Sequence, residues 1–225
     1  KMNVIILCGG KGTRLKPLTI NTPKPMIKIK GKPILYYIIN QLKKNNFNKF
    51  YITTGYLSNI IETYFENNFK ELDINIVNDG DVDIIERIKS VIRLEPNDEI
   101  MVIYGDTISD VDINSLIKYH KSQKNEGTMT LWPLKTNFGI VDIDDKNNIT
   151  DFIEKPTLDK WINIGYFCIK PSLYNELFKF SSFAKFLSFC GKNKKLSAFK
   201  HLNNHYTINN LIELEIAENN IDKIY

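Results

Sequence analysis

Four short apolar runs, each followed by a stretch with helical spacing, constrain this chain more than any other feature of its sequence. They are "NVIIL" (3–7), "KFYITTGY" (49–56), "INIVND" (74–79) and "EIMVIYGD" (99–106). Continuous apolar runs of this length, bounded by glycine or polar residues, suit strands buried on both faces, and such strands pair in parallel beneath covering helices. After the first run, Ile34, Leu35, Ile38, Ile39 and Leu42 recur at helical spacing, and Asn45 and Asn46 close the helix. "LSNIIETYFENNF" follows the second run, with Ser58 or Asn59 as its cap. In "DIIERIKSVIRL" (83–94), Ile84, Ile88, Val91 and Ile92 share a face, and "DINSLIKYHKSQ" (112–123) is capped by Asp112. This rhythm predicts an α/β fold with a doubly wound, mostly parallel, Rossmann-like sheet.

Beyond residue 127 the pattern turns to strands: "TMTLWPL", "GIVDID", "ITDFIEKP" and "INIGYFCIK". Two helical segments around 171–190 and a last helix over 211–221 complete the chain. One domain over 1–225 is expected, with 1–127 and 128–225 as its halves, because 225 residues suffice for one large core. A formal charge of +4, with lysines interleaved among acids and asparagines, gives no stripe for nucleic acid. Cys8, Cys168 and Cys190 have no metal-ligand spacing and read as reduced thiols of a cytoplasmic protein. No apolar segment approaches the roughly 20 residues of a membrane helix, so no membrane partner is expected.

In open α/β sheets, ligands bind beyond the carboxyl ends of the strands. The loop "CGGKGTRLKPLTINTPKPM" leaves the first strand at that edge, and Asp106 leaves the fourth. The loop is neither GxxxxGK[ST] nor GxGxxG, since Gly9, Gly10 and Gly12 are followed by Thr13, Arg14 and Leu15. It carries two cations, Arg14 and Lys24, on either side of "PLTINTP". Pro17, Pro23 and Pro25 stiffen it and hold Lys24 in place.

The whole stretch "LCGGKGTRLKPLTINTPKPM" resembles the signature of the sugar-phosphate nucleotidylyltransferases. "GKPILYYIINQL", "YGD" (104–106), "FGIVDID" (138–144), "EKP" (154–156) and "NIGYFCIKPSLYNEL" (163–177) continue the resemblance over nearly the whole chain. In texture it is closest to the glucose-1-phosphate cytidylyltransferases, through "TTGYLSNIIETYFENNF", "RIKSV" and "YGDTISDVDINSLIKYHK".

The resemblance implies the nucleotidyltransferase fold, with a smaller mixed β region that binds the sugar. It also implies the joining of a sugar 1-phosphate, or a related phosphorylated polyol, to a nucleoside triphosphate. CTP is favoured, with GTP or dTTP as alternatives. Pyrophosphate would leave, and the activated sugar would serve a surface glycan such as capsule or lipopolysaccharide. Such a reaction asks the protein chiefly for positioning and charge neutralisation. Carried onto this chain, the backbone of Leu7, Gly9 and Gly10 approaches base and ribose. Gly12, Thr13 and Arg14 hold the outer phosphates, and Lys24 lies between the α-phosphate and the sugar phosphate. Asp106 binds magnesium, Glu154 and Lys155 meet sugar hydroxyls and sugar phosphate, and Gly139 and Asn163 contact the sugar. The family's habits further imply a homo-oligomer, and the chain suits either a whole enzyme or one module of a longer bifunctional one.

Two departures stand out. Where the family supplies a second magnesium carboxylate, this chain has Asn209 and Asn210; a carboxamide oxygen ligates magnesium without the charge, so Asn209, or Asn210 beside it, is the candidate. Where relatives cradle the base with glycines, it reads "NDGDVDIIERIK": Arg87 stands for the arginine of the cytidylyltransferase branch, but Ile85 and Glu86 replace its glycines. The first departure also fits a catalytically weak subunit that only binds nucleotide sugar.

Overall fold

The centre of the molecule is β1 (Met2–Leu7), in which Val4, Ile5 and Ile6 have no exposed surface. The structure is a computed structural model and describes residues 1–224. From β1 the chain enters the long opening loop, with 3₁₀ turns at Thr13–Leu15 and Lys24–Met26, and then a small hairpin of β2 (Lys28–Ile29) and β3 (Lys32–Pro33). The strand–helix rhythm follows as α1 (Ile34–Lys44), β4 (Lys49–Thr54), α2 (Ser58–Asn67), β5 (Asp73–Asn78), α3 (Ile84–Leu94) and β6 (Glu99–Tyr104). Next come β7 (Thr107–Ser109), α4 (Ile113–Ser122) and the long strand β8 (Gly127–Lys135). A hairpin of β9 (Ile140–Ile143) and β10 (Ile149–Ile153) precedes β11 (Thr157–Ile169), which re-enters the sheet. The rest is α5 (Tyr174–Leu177), α6 (Phe183–Lys192), β12 (Leu196–Lys200), β13 (His205–Thr207) and α7 (Leu211–Asn220).

Seven strands form one sheet in the order β12-β8-β11-β6-β1-β4-β5. β1 pairs in parallel with both β4 and β6, β5 extends that run, and β11 lies antiparallel between β6 and β8. This is the expected mostly parallel α/β sheet, and it runs without a break through strands from before and after residue 127. Alternation along β1 divides the core: Val4 and Ile6 pack with Ile34, Leu35 and Ile38 of α1, whereas Ile5 packs with Ile85 and Ile88 of α3 and Phe186 of α6. Helices therefore cover both faces.

Asp83 caps α3 by accepting from the Ile85 N–H at 2.9 Å, and Asp112 caps α4 through the Ser115 N–H at 2.9 Å. The expected cap of α2 is not found. Leu57 occupies the N-cap in a left-handed conformation (φ 53°), and Ser58 is the first helical residue, its hydroxyl 2.7 Å from Thr54 Oγ1 and donating to Glu62 at 2.5 Å. The reversal after β4 is too short to leave Ser58 or Asn59 outside the helix. The same reversal presents Tyr56, whose hydroxyl donates to the Ile20 carbonyl at 2.7 Å and so pins the opening loop. β2, β3, β7, β12 and β13 are additions to the strands read from the sequence. All three cysteines are free and buried, and no helix among the described residues is long and apolar enough to cross a membrane.

Buried His120 on α4 places Nδ1 2.8 Å from Thr128 Oγ1 of β8 and leaves Nε2 without a hydrogen-bond partner. Burial, helped by Lys170 and Lys121, lowers its pKa to about 4. Between that value and the ordinary one near 6.5, the unfolded chain binds a proton that the folded chain refuses. Stability present above pH ~6.5 is therefore lost as the pH falls toward 4, by on the order of 2–3 kcal/mol for this group. Urea unfolding from pH 7 to pH 4.5 should show that decline, and His120→Leu should lessen it by that amount, leaving the share of His205, whose pKa burial also lowers to about 4.

Candidate active site

Parallel pairing of β1 with β6 aligns Leu7 with Tyr104, and the Gly105 N–H donates to the Leu7 carbonyl at 3.0 Å. Gly9–Gly10 and Asp106 therefore leave the sheet at one edge. At Gly9 the backbone lies against Arg87: a Cβ there would sit 2.0 Å from the guanidinium. Gly12 takes a left-handed conformation (φ 60°) and turns the loop into its first 3₁₀ segment.

Two cavities open at this edge. One, of about 280 Å³, is lined by Leu7, Gly9, Gly10, Val82, Ile84, Arg87 and Tyr104 among others. The second, of about 220 Å³, is lined by Gly12, Thr13, Arg14 and Asn209. Gly10, Lys24 and Asp106 belong to both walls. A chamber with an apolar wall thus meets a more polar one at a lysine and an aspartate.

Lys24 lies in the second 3₁₀ turn with its side chain only 12% exposed. Its Nζ donates to Asp106 Oδ2 and, at 3.0 Å, to Asn209 Oδ1. A separate pairing delivers Asn209: β13 runs antiparallel to β7 with Thr207 opposite Thr107, and the Ile208 N–H donates to the Asp106 carbonyl at 3.2 Å. His201 Nε2 braces this segment, 3.0 Å from Asp110 Oδ1 and 3.1 Å from Ser109 Oγ. The Asn209 N–H donates to Glu213 at 2.7 Å, which fixes its backbone. Asn210 is engaged elsewhere; it caps α7 by accepting from the Glu213 N–H at 2.9 Å. Of the two asparagines, only Asn209 bonds Lys24.

Arg87 is buried, and its guanidinium bonds backbone at three loops. Nη1 donates to the Thr54 carbonyl at the end of β4, while Nη2 donates to Gly80 O after β5 at 2.6 Å and Gly9 O after β1 at 3.3 Å. Burial lowers its pKa, while Asp79 and Asp81 raise it. The arginine assigned to the nucleotide by resemblance lines the first cavity and also ties three sheet-edge loops together.

The residues assigned to the acceptor separate into two groups. Asn163 bonds within the strand region, accepting from the Gly165 N–H at 2.9 Å, with Nδ2 3.4 Å from the Tyr104 hydroxyl. Gly139, Glu154 and Lys155 sit in and beside the β9–β10 hairpin, with Glu154 and Lys155 side chains both more than half exposed and 3.7 Å apart. None of these three lines either cavity.

A family model described as nucleotidyl transferase matches residues 3–210. The chain belongs to that family. It is 35% identical over 208 residues to the bifunctional protein GlmU of Methanocaldococcus jannaschii, covering 89% of this chain and 47% of that protein. To the glucose-1-phosphate cytidylyltransferase of Salmonella typhi it is 33% identical over 197 residues, 76% of each chain. The chain thus spans about half the length of the first relative and three quarters of the second. In structure it resembles HddC from Yersinia pseudotuberculosis, with a TM-score of 0.75, 23% identity, and coverage of 97% and 99% of the two chains. At that identity the likeness shows the shared fold.

The structure adds to the first cavity residues of this family member that the sequence motifs did not single out. Tyr104 and Gly105 belong to the quoted "YGD", where only Asp106 had drawn attention, and Asp81 and Val82 follow Gly80 at the first cavity. Asp81 is bridged to Lys11 of the opening loop at 2.5 Å, which holds its carboxyl below the usual range. Cys8 also lines this cavity, but burial, followed by the nearby Asp106, pushes its thiol up and keeps it protonated.

Removal of the Arg87 side chain leaves the carbonyls of Gly9, Thr54 and Gly80 to find new partners. Arg87→Ala should lower stability by about 3 kcal/mol in urea unfolding, because buried acceptors that lose a charged donor bear their full desolvation cost. Arg87→Lys should restore only part, since an ammonium lacks the planar fork that reaches all three.

Proposed function

We propose that this chain transfers a cytidylyl group from CTP to a sugar 1-phosphate, giving a CDP-sugar and pyrophosphate. The observation that carries the reading is the position of Lys24, where a chamber with an apolar wall meets a more polar, cationic one. Nucleoside would occupy the first chamber, against Leu7, Gly9 and Gly10, and the outer phosphates the second, against Gly12, Thr13 and Arg14. The α-phosphorus then falls between them, beside Lys24.

An oxygen of the sugar phosphate attacks that phosphorus in line, and the bond to the bridging oxygen of the β-phosphate breaks. Lys24 neutralises charge at the reacting centre, and Arg14 neutralises the departing pyrophosphate. Lys24 is held by the fold at the edge shared by the two chambers, and Arg14 lies on the wall of the second. Val82, Ile84 and Tyr104 give the nucleoside side an apolar wall against which a base can pack.

The donors at Asp106 and Asn209 fit magnesium. Both offer hard oxygens into the phosphate chamber, and magnesium commonly takes one or two protein oxygens, with phosphates and water completing its shell. Asp106, with Asn209 Oδ1 beside it, would hold the ion, which supplies charge neutralisation at the phosphate oxygens when bound.

CTP is favoured by the Salmonella typhi relative's name and by Asp81 at the nucleoside chamber. A carboxylate accepts from the exocyclic amine of cytosine, whereas uracil and thymine present an oxygen there. Asn163, next to Tyr104, is proposed to contact the sugar. Gly139, Glu154 and Lys155 are proposed to reach it from the hairpin.

A pyrophosphate-release assay with four nucleoside triphosphates against a panel of sugar and polyol phosphates tests the reading. Turnover should be greatest with CTP and a hexose 1-phosphate such as glucose 1-phosphate. Silence with every pair would overturn transfer in favour of a binding subunit. Lys24→Ala should lower kcat by about 10²–10³ while circular dichroism stays unchanged, as expected for a group that acts chiefly in the transition state.

A further inference from the structure

The side chains that line the phosphate chamber carry one carboxylate, Asp106, against two cations, Arg14 and Lys24. Asn209 adds an oxygen but no charge, and Lys24 Nζ already bonds both Asp106 Oδ2 and Asn209 Oδ1. Among the described residues, no group of three or more His, Cys, Asp or Glu is arranged to hold a metal. Glu213, the nearest acid on α7 in these contacts, spends its carboxylate on the Asn209 N–H. A divalent cation that approaches the nucleotide-free chain therefore meets an ammonium in its place and a net positive wall.

We propose that Lys24 and Asn209 together exclude divalent cations from the nucleotide-free chain, so that the cation enters only as its complex with the triphosphate. This rests on the proposed reading of the chamber as a triphosphate site. The triphosphate brings the negative charge that the wall lacks, and it offers Lys24 a stronger partner than Asp106. Lys24 then leaves Asp106 for the phosphates, and one exchange both frees the metal carboxylate and arms the lysine. Asn209 decides the order. With an aspartate there, the chamber would hold two carboxylates, one of them left over after Lys24 is paired, and the cation would find a site before any nucleotide arrived.

The test is a Mn²⁺ titration of the nucleotide-free chain, followed by electron paramagnetic resonance. Wild-type protein should show no Asp106-dependent binding below about 1 mM Mn²⁺, the weak end of oxygen-ligand sites. Asn209→Asp, which adds charge with little change of shape, should tighten binding about tenfold or more, and so should Lys24→Gln, which removes the ammonium. Adding Asp106→Asn to either variant should abolish the gain. Wild-type protein given a non-hydrolysable CTP analogue should bind Mn²⁺ without any substitution. Submillimolar binding by the free wild-type chain that Asp106→Asn removes would overturn the proposal, as would affinities unchanged in both variants. Thermal melts confirm that each variant is folded. Failure of the pyrophosphate assay would overturn the reaction but leave these titrations readable, so the two failures are distinguishable.

Discussion

The hydrogen-bonded register between β1 and β6 is the constraint on which the rest of the site depends. With Leu7 opposite Tyr104, the glycine loop and Asp106 must emerge side by side, and everything that lines the two cavities is hung on that alignment. A slip of one residue would turn every side chain of β1 to the other face of the sheet, sending Val4 and Ile6 toward α3 and Ile5 toward α1. The apolar core thus fixes the register, and the register fixes the site. Both strands are buried on both faces, and neither has a solvated side that could tolerate the error.

Around that alignment the chain spends polar groups to hold loops, and two such groups converge on the cavities from opposite sides. Arg87 gathers the ends of β1, β4 and β5 through backbone carbonyls beside the first cavity. At the second cavity, pairing of β13 with β7, braced by His201 against Asp110 and Ser109, carries Asn209 to Lys24 from far along the chain. Rigid positioning is what nucleotidyl transfer most needs from a protein, since the reaction makes no covalent demand on it.

Lys24 joins structure to chemistry. Its ammonium is mostly withdrawn from water, and its partners in the free chain are the groups that fit the metal. The arrangement leaves the second cavity with two cations against one carboxylate, a balance that favours an anionic ligand.

Sequence alone determined the class of sheet, the emergence of the opening loop and Asp106 at one strand edge, and that loop's glycines and cations. These follow from local periodicity and from turn chemistry, which act over a few residues. The boundary of α2 was misread because Leu57 adopts a left-handed conformation that no local pattern announces. The short strands β7, β12 and β13 were missed because three to five residues carry too little periodicity to be seen. Tertiary structure decided three further matters. It chose Asn209 over Asn210 as the partner of Lys24, because Asn210 is consumed in capping α7. It turned Arg87 inward to backbone carbonyls, because three loops converge where its side chain ends. And it set Glu154 and Lys155 on an exposed hairpin outside the two cavities. Each depends on contacts between residues far apart in the chain, so spacing along the sequence carries no record of them.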